Sequence, residues 1–469
     1  MKGKDVLLRA LGRETTERPA WVPFVGVHGG NLIGERADDY LKSSDSIVKG
    51  IRRANELYRP DGIPVAFDLQ IEAEVLGCDL HWDSNVPPSV TTHPLEGGTA
   101  LEDLPDLSED GGRFPVVLAA LDRLREEIGD ETALYGLVCG PFTLALHLAG
   151  NEIFIDMYDD EAKVRKLVER CADYAIQSAG FYLDHGADVI AVVDPMTSQI
   201  SAEHFTGFVT PAMNRVFDYI RGRGSYSSIF VCGDVSRNLD VMCGTEADHI
   251  SVDEQIDMTR LRELAEKNGK AFGGNIRLTS VLLLGDEDDA KLETLNIMDR
   301  SGCTGFVLSP GCDLPYHTPP ANLQAVAEMV HDEYAREVAR KVLAARGEKE
   351  EETYDDIELP DYDAQKAVTL DVITLDSTSC APCQYMMDAV RRAADDAFVK
   401  TYVNEHKIMV RDGIGMMARL GVKNLPTICI DGEIAFSSII PDHNTLVEAI
   451  ENKAVDKNYV SKNGGDPNS

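Results

Sequence analysis

Cys232 and Cys312 each end a short apolar run and each abut a glycine, in "SIFVCGD" (228–234) and "TGFVLSPGC" (304–312). Two cysteines facing one cavity, joined by one or two harder donors, suit Zn2+, which takes tetrahedral sulfur and nitrogen ligands and keeps a position open when catalytic. A lone buried cysteine is more often a small core residue; Cys171 and Cys303, which lie on helix-like segments, and Cys243 fit that plainer reading, and Cys429 is expected in a core. A different chemistry lies at Cys380-Ala-Pro-Cys383, where an apolar strand is followed by an amphipathic helical pattern. That spacing sets Cys380 at a helix N-terminus, whose N–H groups and dipole favour a thiolate, and Cys383 one turn inside as the resolving thiol. The competing role for this pair is a structural disulfide or metal clip, although no second C-x-x-C supplies four zinc ligands.

The elements that must carry these residues are legible. Six aliphatic runs, "TALYGLVCGPF", "ADVIAVVDPM", "SSIFVCGD", "ADHISVDE", "KAFGGNI" and "TGFVLSPGC", alternate with helical stretches. Near-continuous apolar strands between helices predict a parallel sheet covered on both faces, and about 340 residues of such units predict a closed (β/α)8 barrel. Chemistry in such barrels sits at the C-terminal strand ends. There the sequence places Cys139, Asp194, Cys232 with Asp234, Asp253, Asn275, and Cys312 with Asp313 and His317. Earlier runs are followed by His28 and by Asp68, Glu72 and Glu74. At "RGEKEEETYDDIELPDYDAQ" acidic residues displace aliphatic ones, which predicts an extended linker over 346–366 after one long helix, "ANLQAVAEMVHDEYAREVARKVLAA", that follows Pro320 and stops at Gly347. The domain expectation is therefore a barrel over 1–345, a small α/β domain over 367–455 and a flexible tail over 456–469. In the small domain, strand, C-x-x-C, helix, strand, helix, a hairpin after Pro426 in "NLPT" and a closing helix follow in order.

Composition narrows the partners. Forty-five Lys and Arg against 80 Asp and Glu give a formal net charge of −35, which repels phosphate backbones and anionic lipid surfaces, so neither nucleic acid nor a membrane is expected. No run approaches the ~20 apolar residues of a bilayer span, and the N-terminal "MKGKDVLLRALGRETTERPA" has no signal-peptide core. A cytoplasmic protein is the expectation, with ten scattered cysteines kept reduced.

Seven stretches, "RPAWVPFVGVHGGN", "FDLQIEAEVLGC", "GPFTLALHLAG", "GADVIAVVDP", "FVCGD", "GGNIRLTSVLLLG" and "SPGCDLPYHTPPANL", resemble the uroporphyrinogen decarboxylase superfamily over roughly residues 1–340. The chain is more similar to that superfamily's methylcobamide:thiol methyltransferases than to its decarboxylases, which carry an arginine-rich stretch where this sequence has "GVHGGNLIG". The resemblance implies zinc bound by a His-x-Cys motif and a Pro-Gly-Cys motif. Pro310-Gly311-Cys312 matches the second, but Phe230 stands where the first has its histidine. Three outcomes follow: His28, Asp194 or His317 completes the shell; the site takes another metal or none; or the zinc reaction is lost. Asp194 is also a catalytic candidate, and His28, Gly274 and Asn275 are cofactor-binding candidates.

The activity implied is transfer of a methyl group from a methylcobalamin-type cobamide or corrinoid protein to a thiol or folate acceptor. A tetrapyrrole decarboxylase using Arg237 and Arg277, and a non-enzymatic corrinoid-binding or redox-regulatory protein, are the alternatives. The C-terminal order resembles a thioredoxin or glutaredoxin-like domain, with Pro426 at the cis-proline and Cys380, Cys383 and Pro426 as its catalytic residues. A dithiol tethered at high effective concentration could reduce barrel cysteines, deliver electrons or dock a partner.

Overall fold

A computed structural model describes residues 1–346, 353–378 and 380–456. In the first of two compact units the strands are β1 (Ala20–Trp21), β2 (Gly62–Pro64), β3 (Leu80–His81), β4 (Ser89–Val90), β5 (Ala133–Cys139), β6 (Val189–Val193), β7 (Tyr226–Val231), β8 (His249–Val252), β9 (Ala271–Ile276) and β10 (Phe306–Pro310). Eight of them form one parallel sheet in the order β1-β10-β9-β8-β7-β6-β5-β2, while β3 and β4 pair as a small antiparallel ribbon. The sheet curls into a nearly closed barrel. Its seam between β1 and β2 has no ladder, but the Asp61 N–H donates to the Trp21 carbonyl (2.8 Å) and the Trp21 N–H to the Asp61 carboxylate (2.8 Å).

Every residue of β5, β6, β8, β9 and β10 is buried, as a sheet covered on both faces requires. The barrel interior is filled by Phe24, Phe67, Tyr135, Leu137, Ala191, Phe230 and Val307. Among the described residues no helix is long and apolar enough to cross a membrane.

In the second unit β11 (Val368–Thr374), β12 (Thr401–Lys407), β13 (Thr427–Ile430) and β14 (Glu433–Ser437) form a mixed sheet in the order β12-β11-β13-β14. The β11–β12 pair is parallel; β11–β13 and β13–β14 are antiparallel. Helices Ala381–Asp396, Arg411–Arg419 and His443–Asp456 complete it.

Three expectations change. The long helix read after Pro320 is two, Pro320–His331 and Glu333–Arg346. Asp332 leaves helical geometry and its carboxylate accepts the Ala335 N–H (2.9 Å), starting a new helix, which is the usual work of an N-terminal aspartate. The acidic stretch is not all linker: Ile357, Leu359 and Tyr362 pack on the core formed by Ile373, Ile408, Met416, Leu420, Val422 and Cys429, and Tyr362 donates to Asp371 (2.8 Å). Composition hid this because three well-spaced apolar side chains suffice to dock a segment that is otherwise charged. Cys303 lies between a helix and β10 rather than on a helix. Gly347, the first part of the linker and the tail from 457 onward lie outside the described residues.

Candidate functional site

Strands β7 and β10 are separated in the sheet by β8 and β9, yet the residues that follow them meet. Cys232, just past β7, and Cys312, two residues past β10, are joined as a disulfide with Cα atoms 5.9 Å apart, and both are only partly buried. Each loop is pinned from a neighbouring strand end. The Gly233 N–H donates to the Asp253 carboxylate (3.0 Å), and Asp253 is placed in turn by Asn275, whose side-chain amide donates to the carbonyls of Asp253 (3.0 Å) and Ile256 (2.8 Å). On the other side the Gly26 N–H donates to Asp313 (2.9 Å) and the Leu314 N–H to the Phe24 carbonyl (3.0 Å). Gly311 is required before Cys312: a Cβ there would stand 2.7 Å from the Glu254 backbone nitrogen.

Beneath the cysteines lies an aromatic floor. Phe230 is buried, with its ring 4.9 Å from Phe24 and 6.0 Å, edge-on, from Phe67. The position that carries histidine in the resembled motif is thus part of the apolar barrel core. Of the three other possible donors, His28 and Asp194 are occupied. His28 is fully buried, with Nδ1 3.1 Å from the Tyr316 carbonyl and Nε2 2.7 Å from the Tyr58 hydroxyl. The neutral ring that donates to the first and accepts from the second is the form favoured by burial, which pushes its pKa down to about 4.

Asp194 accepts from the N–H groups of Phe142 (3.0 Å) and Thr143 (2.8 Å) and from the Thr143 hydroxyl (2.6 Å), so its carboxylate caps the helix Pro141–Ala149. Burial still raises it to about 6, against those three hydrogen bonds. His317 is exposed and stacks edge-on with Tyr316 (4.9 Å).

A zinc centre of the implied kind needs two free thiolates and at least one further donor. The chain brings the two sulfurs together, but as a disulfide they offer no thiolate, and His28 and Asp194 are committed to other partners. Among the described residues no three His, Cys, Asp or Glu side chains are grouped to share a metal ion. With the two sulfurs paired, His28 and Asp194 engaged elsewhere and Phe230 packed in the apolar core, the donors as arranged do not present three protein ligands to one zinc ion.

The cofactor-binding candidates also look inward. Besides His28 and Asn275, Gly274 has φ +129° and a Cβ on it would lie 2.8 Å from the Val252 carbonyl, so a neighbouring strand, not an open cradle, demands the glycine. Arg277 is tied to Glu293 by two hydrogen bonds (2.8 and 2.9 Å).

Asp68 and Glu74 are bound by Arg113, an anchor no sequence signal pointed to because it lies some forty residues away. Phe24 and Phe67 were likewise missed, since nothing in a single apolar residue says which aromatic it will meet.

In the second unit Cys380 is the N-cap of the helix Ala381–Asp396 and is disulfide-bonded to Cys383; its Sγ accepts the Cys383 N–H (3.4 Å). Cys383 is buried, Cys380 partly exposed. The Leu425–Pro426 peptide is cis and leads into β13.

The first unit is thus a parallel (β/α)8-type barrel with a cysteine pair at its C-terminal mouth. The chain belongs to the uroporphyrinogen decarboxylase (URO-D) family, which it matches over residues 2–333. It is 30% identical over 331 residues to the methylcobamide:CoM methyltransferase MtbA of Methanosarcina mazei, covering 69% of this chain and 96% of the relative. It is 25% identical to the uroporphyrinogen decarboxylase of Nostoc punctiforme, covering 57% of this chain and 76% of that one. A solved methyltransferase structure from Methanosarcina mazei shares the barrel fold, with a TM-score of 0.66 and 24% identity over 71% of this chain and 99% of that chain.

Proposed function

We propose that the barrel is a cytoplasmic, corrinoid-dependent methyltransferase that moves a methyl group from a methylcobamide, free or on a corrinoid protein, to a small-molecule thiol. The observation that carries this reading is the cysteine pair at the ends of β7 and β10 in a chain 30% identical to methylcobamide:CoM methyltransferases. The names of several similar relatives carry coenzyme M or a methylated thiol as well, which favours a thiol over a folate acceptor.

The donor is a substrate that supplies a methyl carbon whose bond to cobalt breaks with the electron pair left on the metal. The remaining work falls to the protein. The Phe24–Phe67–Phe230 floor closes the barrel below the mouth to water, so the reacting carbon and sulfur meet at the rim. Hydrogen bonds from Gly233 to Asp253 and from Gly26 to Asp313 hold the two rim loops in place. The acceptor thiol surrenders its proton to solvent as its sulfur bonds to the methyl carbon. No step passes through zinc.

A tetrapyrrole decarboxylase is less well supported, since Arg277, one of its two carboxylate-binding candidates, is held by Glu293. We assign residues 367–455 as a thioredoxin-like redox domain acting through Cys380 and Cys383, with Pro426 as its cis-proline. The strand order, the N-capping cysteine and the position of Pro426 support that assignment.

The test incubates the reduced full-length chain with methylcobalamin and coenzyme M. Thioether formation with matching loss of the methyl-cobalt absorption is expected. Absence of thioether with coenzyme M and with a panel of small thiols, together with release of CO2 from uroporphyrinogen, would replace the reading by the decarboxylase.

A further inference from the structure

Four of the ten cysteines are paired, two at the barrel mouth and two in the second unit, and the six free ones are of a different kind. Five of those six are buried, and burial pushes the thiols of Cys78, Cys243 and Cys429 up to about 12, where they are inert at neutral pH. The barrel pair is set apart by its surroundings. Both cysteines reach the surface, their Cα separation of 5.9 Å is within the reach of a bridge, and the position that carries histidine in the resembled zinc motif is a buried phenylalanine. With Phe230 below, His28 committed to Tyr58 and Tyr316, and Asp194 capping a helix, each sulfur has one strong partner, the other sulfur.

We infer that Cys232 and Cys312 are a redox pair, not a metal site, and that they exchange electrons with a vicinal C-x-x-C dithiol, of which the Cys380–Cys383 pair of this chain is the example at hand. The inference needs only the two cysteine pairs and does not depend on methyl transfer. In the exchange the Cys380 thiolate attacks one sulfur of the Cys232–Cys312 disulfide. That bond breaks, a mixed disulfide to Cys380 forms, and the released barrel sulfur takes a proton. The Cys383 thiol then loses its proton and attacks the Cys380 sulfur, forming Cys380–Cys383 and freeing the second barrel thiol. Two electrons and two protons pass from the second pair to the barrel pair, and a further round requires an external dithiol to reduce Cys380–Cys383.

The chemistry at each end suits its part. Cys380 is partly exposed and caps a 16-residue helix, accepting an N–H at its Sγ, which favours the attacking thiolate; Cys383 is buried one turn in, as a resolving thiol should be. The same step occurs within one chain or between two, and the oxidised barrel presents no free thiolate at its mouth.

The experiment uses the full-length chain without any methyl donor, so its failure is separate from failure of the methyltransferase reading. In Cys383→Ser, with the barrel pair oxidised, non-reducing peptide mapping should find Cys380 linked to Cys232 or Cys312, and Cys380→Ser should lack the link. As a second measurement, limiting dithiothreitol should reduce the barrel pair of the wild type at least tenfold faster than that of Cys380→Ser/Cys383→Ser, read by alkylation and mass spectrometry. Serine preserves the helix cap, so the double variant keeps its fold. Equal rates, or an alkylatable Cys380 in Cys383→Ser with no linked peptide, would overturn the inference. So would one zinc per chain bound by reduced Cys232 and Cys312 that protects them from oxidation.

Discussion

Phe230 decides the character of the barrel mouth by what it packs against. A histidine there would need hydrogen-bond partners or a metal; a phenylalanine needs only Phe24 and Phe67, and their rings are in place. Where the resembled motif has a histidine, this chain has an apolar ring, and the two sulfurs above it have each other as partners, which opens redox chemistry to them. Glu72, in the short helix Ile71–Val75 after β2, shows the same local control. One carboxylate oxygen accepts from Ser178 (2.8 Å) and from the Cys139 N–H (3.2 Å), while the other is buried without a partner among the described residues. Burial raises its pKa from 4.5 to about 7. A raised carboxyl binds its proton more tightly in the folded state, so its contribution is greatest below pH 4.5 and is lost as pH rises to about 7. The shift corresponds to about 3 kcal/mol. The stability difference between wild type and Glu72→Gln, followed by urea unfolding, should fall by about that amount across this range. A difference independent of pH would refute the assignment.

At the scale of elements, the barrel is stitched together by side chains that serve the backbone of the next unit. Asp194 at the end of β6 caps the helix that follows β5, Asp253 after β8 holds the loop after β7, and Asp313 after β10 holds the segment after β1. A strand-end carboxylate in this family fold is therefore not by itself a catalytic group: a short parallel strand leaves the first N–H groups of the next helix unpaired, and a neighbouring acid satisfies them. Asp194→Ala strands two buried N–H donors and the Thr143 hydroxyl. Each loss costs on the order of 1 kcal/mol or more, so the barrel should lose about 2–4 kcal/mol, seen as a lower urea midpoint with an unchanged slope. A variant of wild-type stability would free Asp194 for a role in the chemistry.

At the scale of the molecule, the two units have separate sheets and separate cores. Calorimetry should resolve two transitions. Ile357→Ala, which removes a side chain packed on the second core from within the acidic stretch, should lower only one of them, at a cost of about 1–3 kcal/mol. A shift of both transitions would make the units one cooperative body.

The sequence by itself determined the strand-helix alternation, the parallel barrel, the cysteines at two strand ends and the order of elements in the second unit, with Cys380 at a helix start. These are written in hydrophobic period, glycine and proline placement and short spacings, all of which act over a few residues. Tertiary structure decided whether a side chain at a strand end is free. His28 turned out to be spent on Tyr58, Asp194 on the helix Pro141–Ala149, Arg277 on Glu293 and Asn275 on the loop after β8, while Cys232 and Cys312 found each other across 80 residues. Hydrogen-bond valence and ring packing are settled only when distant segments arrive at the same point. That is why Phe230 could be noticed in the sequence as a departure but understood only against Phe24 and Phe67.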